Sequence, residues 1–163
     1  MTVEIRVLQL RDAEACETII LGLPYHFGQA VGRAQAAAAL RSQDGLVAVE
    51  DGEVVGFCTS VPRFAASAEI TWMAVAAPRR REGIGHVLID VLAARLVLDG
   101  RRILAVLTVS PNDPGEEPDD GYRSTRRFYE QMGFVLVRDL PGEWEGGDTA
   151  VLLAKILGPG TPG

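Results

Sequence analysis

Residues 68–88, AEITWMAVAAPRRREGIGHVL, leave the chain few ways to fold. They open as a strand, in which Ile70, Trp72 and Ala74 alternate with Glu69, Thr71, Met73 and Val75 and so present two different faces. Pro78 is expected to end that strand, because proline has no N–H to give a ladder. From Ile84 onward, Leu88, Val91, Leu92 and Leu96 recur at helical spacing. Between strand and helix sits the basic turn Arg80-Arg81-Glu82-Gly83-Ile84-Gly85.

A turn of that composition suits an anion. Unpaired N–H groups at a helix start, together with the helix dipole, favour phosphates. Gly83 and Gly85 are expected to allow positive φ and close approach of a ligand to the backbone. Arg79, Arg80 and Arg81 add guanidinium groups that match phosphate oxygens. An ordinary strand-to-helix turn with solvated arginines has the same local sequence. A second stretch, Arg127-Phe128-Tyr129-Glu130-Gln131-Met132-Gly133-Phe134, follows further along. The first stretch resembles motif A of the GNAT superfamily, the Gcn5-related N-acetyltransferases, with its R/Q-x-x-G-x-G/A loop after a central strand. The second resembles that family's later F/L-Y-x-x-x-G-F signature. The two lie in family order, and the wider resemblance covers most of the chain.

With 163 residues and 47% hydrophobic composition, the chain fits one domain with a real core. Residues 1–157 are expected to form it, and residues 158–163 a disordered tail. No apolar run of about 18 residues and no signal-peptide pattern occurs, so a soluble cytoplasmic protein without a membrane partner is expected. The net charge of −6 argues against a general nucleic-acid binder. Cys16 and Cys58 are far apart and read as buried thiols; with His26 and His86 they make no metal-ligand spacing, so no metal is expected. Fifteen of the sixteen cationic residues are arginine, which leaves little scope for acetylation of the protein's own lysines.

In chain order, residues 3–10 read as a first strand, and Asp12 as the N-cap of a helix through about Leu21. Residues 22–32, GLPYHFGQAVG, are expected to be irregular, with an alanine-rich helix over 35–41. Residues 46–49 and 54–61 form a hairpin around Asp51-Gly52. Residues 103–109 are nearly continuous in apolar residues, as in a strand covered on both faces, and the intervening helix should make this strand parallel to the one at 68–75. The loop 110–121 is rich in proline, glycine and acids; Asp113, Glu116, Glu117, Asp119 and Asp120 would attract a cationic substrate or are simply solvated. A helix over 122–132 with Gly133 at C′ is followed by closing strands at 135–138 and 149–156, with Trp144 in the loop between them.

The resemblance implies an α/β fold: a mixed central sheet of six to seven strands, splayed between strands 4 and 5, flanked by about four helices. It implies an acetyl-CoA-dependent N-acetyltransferase, with acetyl-CoA as co-substrate. Met73, Ala74 and Val75 would meet the pantetheine arm as a short added strand, and Arg80, Arg81, Glu82, Gly83, Ile84, Gly85 and His86 the pyrophosphate. Thr125 and Phe128 would complete the coenzyme A contacts. The Met73 N–H would stabilise the thioester oxyanion, a role worth ~3 kcal/mol of barrier. Tyr129 matches the general acid, and Glu69 the strand glutamate that acts as base. Glu69 and Met73 are expected on one strand face, roughly 13 Å apart at ~3.3 Å per residue. Tyr25, His26, Phe27, Gln29 and Tyr122 are candidates for the acceptor side, although Tyr25 and Phe27 also suit a loop anchor. The acceptor would be a small amine or a protein amine. A homodimer through the strand edge near the C-terminus, transfer of another acyl group and a non-catalytic acyl-CoA sensor stay open; a nucleotide-binding module fits the glycine loop but not the second motif. The chain departs from the family in a loop one residue short between Pro78 and Gly83, and in Tyr122 where many members carry asparagine.

Overall fold

The computed structural model describes residues 2–24, 27, 29–115, 121–145 and 147–158. Among these residues, seven strands and four α-helices make a mixed α/β fold. The chain divides into two compact units, residues 1–62 with 70–95, and residues 63–69 with 96–163.

The first unit has the strand order β1-β2-β3-β4, with β1 at Glu4–Val7, β2 at Asp44–Glu50, β3 at Glu53–Pro62 and β4 at Ser67–Val75, whose first three residues belong to the second unit. β1 and β3 both run antiparallel to β2, with Ile5 opposite Ala48 and Val47 opposite Phe57. The β2–β3 turn places Asp51 at φ 50° and Gly52 at φ 81°, the left-handed pair that matches hairpin twist. Helices α1 (Ala13–Leu21) and α2 (Ala30–Ser42) bury Cys16, Ile19, Ile20, Ala36 and Leu40 in one cluster with Val47, Phe57 and Ala74. Phe57 is fully buried, a burial worth about 2–3 kcal/mol.

Helix α2 starts five residues before the alanine-rich stretch alone suggests. The Arg33 N–H donates to the Gln29 carbonyl at 3.1 Å, and Arg33 Nη1 donates to the Phe27 carbonyl at 2.8 Å, so the first turn closes across Gly32. Asp12 departs from expectation too. It precedes α1, but its carboxylate accepts no N–H from that helix. Instead it accepts Arg6 Nη1 and Nη2 at 2.8 and 2.9 Å and the Gln9 N–H at 2.8 Å. Tertiary pairing with a bidentate arginine outcompetes the cap.

The second unit contains β5 (Ile103–Val109), β7 (Ala150–Ile156) and β6 (Val135–Leu140), in the order β5-β7-β6, with α4 at Gly121–Gln131. β7 is antiparallel to both neighbours. The Arg102 and Ile103 N–H groups both donate to the Ala66 carbonyl, at 2.7 and 3.0 Å. On β5, Leu104, Val106 and Thr108 are buried, whereas Ala105 and Leu107 are half-buried and Ile103 is exposed. One face of the apolar run is fully covered and the other only partly. Helix α4 ends as the sequence suggests, with Gly133 at φ 92° and the Phe134 N–H donating to the Tyr129 carbonyl at 3.0 Å.

Cys16 and Cys58 are buried and unpaired with one another, and burial pushes both thiols up to about 12. Among the described residues, no helix is long and apolar enough to cross a membrane. The hydrogen bond from Arg6 holds the Asp12 carboxyl below its ordinary range, against an opposing desolvation. A depressed carboxylate contributes stability in full above its unfolded value of about 3.9 and loses it as pH falls through the folded value. Asp12→Asn is therefore expected to lower stability near neutral pH and to flatten the acid limb, measured by urea unfolding at a series of pH values.

Candidate active site

The end of β4 and the start of α3 (Ile84–Leu98) are brought together within the first unit. Gly56 on β3 lies beneath both: a Cβ there would meet the Ala74 carbonyl and Ile84 Cγ2 at 3.3 Å and Leu88 Cδ1 at 3.4 Å. Sequence reasoning did not single out Gly56. Its only local signal is a glycine inside an apolar strand, which marks close approach of another element.

Strand β4 ends at Val75, before Pro78, and a short 3-10 turn at Ala77–Arg79 carries the chain away. Arg80 is extended, Arg81 sits at φ 66° and Gly83 at φ 83°. Gly85 does not adopt positive φ; it lies inside the first turn of α3. The left-handed position expected at the second glycine is occupied by Arg81 instead. Holding a non-glycine there costs ~1 kcal/mol or more, a strain of the kind stored at ligand-binding loops.

The three arginines divide by role. Arg79 pairs with Glu50 at the end of β2 and, through Nε, with Glu82 Oε2 at 2.6 Å. Those hydrogen bonds raise the Arg79 pKa and lower that of Glu50. Arg79 is thus a clamp, and the Glu82 side chain is committed to it. Arg80 and Arg81 are exposed and meet no carboxylate among the described residues. Ile84 is buried, Gly85 half-buried and His86 exposed, while the first intrahelical bond runs from the Val87 N–H to the Gly83 carbonyl at 3.2 Å. The amides of Ile84 and Gly85 therefore have no carbonyl inside the helix to bond. Cationic side chains and helix-start N–H groups converge here.

On β4 the simple alternation fails. Phe57 and Thr59 are two apart on β3 and share a face. Phe57 clusters with Ala74 and Trp72, while Thr59 Oγ1 lies 2.8 Å from Thr71 Oγ1. Thr71 and Trp72, adjacent in sequence, are consequently both turned toward α1 and α2. Such a break in a strand is what a bulge produces. It removes Met73 from the face of Thr71, and with it the shared face expected for Glu69 and Met73. Ala74 is buried, whereas Met73 and Val75 are half-buried. Phe27 packs into the core at 5.9 Å from the Trp72 ring centroid, which is the loop-anchor role. Gln29 is exposed ahead of α2. Tyr25 and His26 lie outside the described residues, as do four of the five acids of the 110–121 loop.

In the second unit, Glu69 Oε2 accepts Arg63 Nε at 2.6 Å. Tyr129 is buried on α4, edge-on to Phe128 and Phe134 at centroid distances of 5.1 and 5.3 Å. Tyr122, Thr125 and Phe128 are half-buried on the same helix. Arg126, three residues before Tyr129 and so on its side of α4, is buried and donates from Nη1 to the Val109 carbonyl at 2.7 Å. That bond anchors α4 to the end of β5 and fixes the rotation that sets Tyr129; the basic run hid it. Asp113 is structural. It accepts the Thr149 N–H at 2.6 Å and the Gly115 N–H at 3.0 Å, so the attraction for a cationic substrate expected of it is not its contact. Ser110 and Asn112 hydrogen-bond Asp139 and hold its carboxyl below the ordinary range.

Residues 41–136, more than half of the chain, match the Acetyltransferase (GNAT) domain family. No functionally curated protein matches the chain in sequence. Among solved structures the chain is similar to a GNAT-family protein from Desulfovibrio desulfuricans, with 21% identity and a TM-score of 0.81 over 96% of this chain and 100% of that one. It is also similar to an aminoglycoside 6'-N-acetyltransferase complexed with coenzyme A (18%, 0.74, over 98% of each chain). A third is the ribosomal-protein-S18-alanine N-acetyltransferase from Escherichia coli (17%, 0.75, over 97% and 96%). At these identities the likeness shows the fold.

If Arg81 is strained for a ligand's sake, relieving it stabilises the protein. Arg81→Gly is expected to raise the unfolding free energy by about 0.5–1 kcal/mol, the strain removed less the entropy glycine adds to the unfolded chain. Urea unfolding measures it, and a loss of stability would contradict the reading.

Proposed function

The chain belongs to the GNAT acetyltransferase family, and we propose that it is an acetyl-CoA-dependent N-acetyltransferase that moves the acetyl group directly to a primary amine. One observation carries the proposal: Arg80 and Arg81, which meet no carboxylate among the described residues, lie just ahead of the first turn of α3. Their cationic groups and its N–H groups suit a pyrophosphate. Both this turn and Tyr129 fall within the family match at 41–136. Arg79 takes no part in phosphate binding, because two carboxylates occupy it. Of Glu82, only the backbone remains to contribute.

By resemblance, the pantetheine arm pairs with the backbone of Met73 and Val75 and the acetyl oxygen faces the Met73 N–H. The neutral amine's lone pair attacks the thioester carbonyl carbon. As the tetrahedral intermediate collapses, the C–S bond breaks and the sulfur leaves with its electron pair. Tyrosine, with an ordinary pKa of about 10, is protonated at neutral pH and Tyr129 gives its proton to that sulfur. The nitrogen loses a proton through water to Glu69, and a solvent proton restores Tyr129. The products are an N-acetyl amine and free coenzyme A. For this step Glu69 must exchange Arg63 for that water, and the same ion pair favours a second reading, an acyl-CoA-binding sensor with Glu69 held out of use.

Calorimetric titration with coenzyme A and, separately, with ATP tests the binding half of this account. Coenzyme A is expected to bind, more weakly as salt rises, with affinity falling about tenfold in Arg80→Ala or Arg81→Ala. ATP is expected not to displace it. Equal binding of ATP, or affinity unchanged in both variants, would contradict the assignment.

A further inference from the structure

The turn between β4 and α3 has few holds on the sheet. At its start, the Ala76 N–H donates to the Val55 carbonyl at 2.9 Å. Beyond that, the Arg79 and Arg80 N–H groups bond only within the turn, to the Ala76 and Ala77 carbonyls at 2.8 and 3.4 Å. Residues 80–83 make no main-chain bond to a strand among the described residues. One side chain supplies the missing hold. Arg79 bonds Glu50 at the end of β2, twenty-nine residues away, and through Nε it bonds Glu82 Oε2 at 2.6 Å. The pair with Glu82 staples the turn across Arg80 and Arg81, which lie between its two ends. The pair with Glu50 fastens that staple to the sheet. Glu50 is itself well fixed: its side chain is only 9% exposed, and it stands opposite Glu53 across the Asp51-Gly52 hairpin turn.

We propose that Glu50 is a positioning residue for coenzyme A: through Arg79 it holds Arg80, Arg81 and the first amides of α3 in the arrangement that receives the pyrophosphate. This deepens the acetyl-transfer reading and rests on it. Two effects of Glu50 oppose one another. Its negative charge disfavours an anion nearby, but Arg79 meets that charge and salt screens what remains beyond ~8 Å. Its hold on the turn, in contrast, orders two long arginine side chains before the ligand arrives. Without it, that ordering is done at the moment of binding and weakens affinity. Positioning outweighs repulsion.

The test is calorimetric titration of coenzyme A into the unaltered chain, Glu50→Ala, Arg79→Ala and the two changes combined. Glu50→Ala is expected to weaken binding about fivefold, and to change nothing where Arg79 is already alanine. Glu50→Gln keeps an oxygen to accept Arg79 and is expected to lose less; it also carries the test if the alanine variant does not fold. The salt dependence of binding is expected to be the same in Glu50→Ala as in the unaltered chain, because no cationic contact to the ligand is lost. Pantetheine, which has the arm without the pyrophosphate, is expected to bind both proteins alike by ligand-observed NMR. Equal losses for coenzyme A and pantetheine would mean a general loosening and would overturn the inference. An unchanged coenzyme A affinity, or a Glu50 effect that persists without Arg79, would overturn it too. Tighter and more salt-dependent binding in Glu50→Ala would do the same, by making Arg79 a phosphate contact that Glu50 holds back. Each of these results leaves acetyl transfer standing, whereas failure of coenzyme A to bind the unaltered chain would overturn both.

Discussion

Between Val75 and Ile84 the chain must leave a buried strand and begin a helix that packs back beside it, and Gly56 sets how closely the two can lie. That constraint shapes the site. A side chain at position 56 would push against the Ala74 carbonyl and against Ile84 and Leu88 together. With the helix start held there, the connecting loop has little slack; Arg81 takes a left-handed conformation and Arg79 is drawn into carboxylates on both sides. The loop that presents Arg80 and Arg81 is tied at its base by the ion pairs of Arg79 and holds Arg81 left-handed at its crest. For the anion proposed to bind there, a loop so tied would lower the ordering cost.

Charge is allotted locally in a chain whose net charge is −6. Of three consecutive arginines, one is structural and two face solvent. Of the acids, Glu50, Glu82 and Glu69 are each engaged by arginine, and Asp12 and Asp113 hold backbone amides. A tally of charges along the sequence cannot make that division, because whether an arginine is spent on the fold depends on which strand end lies beside it. Glu50 is twenty-nine residues from Arg79.

Much of the fold was legible for identifiable reasons. The Asp51-Gly52 turn, the apolar run of β5 and the Gly133 helix stop are local signals that tertiary contacts had no cause to overrule. Where long-range partners decide, reading failed. Asp12 serves Arg6 instead of α1, α2 gains a turn from bonds to Phe27 and Gln29, and β4 loses its alternation at Thr71-Trp72 because Thr59 and Gln43 pull one hydroxyl to the α1–α2 side. The glycine loop before α3 and the helix that carries Tyr129 were legible through their motifs. Gly56 and Arg126, which position those motifs, carry no signature of their own; each matters only for what it touches.

Release of free thiol from acetyl-CoA, followed across a panel of amines, amino acids, polyamines and basic peptides with Tyr129→Phe alongside, tests the central claim most directly. Direct transfer with Tyr129 as proton donor predicts one thiol released per N-acetyl product on at least one acceptor, and a rate reduced on the order of 10²-fold or more in the variant. Acetyl-CoA that binds but is not turned over with any acceptor, or turnover indifferent to Tyr129→Phe, would contradict it.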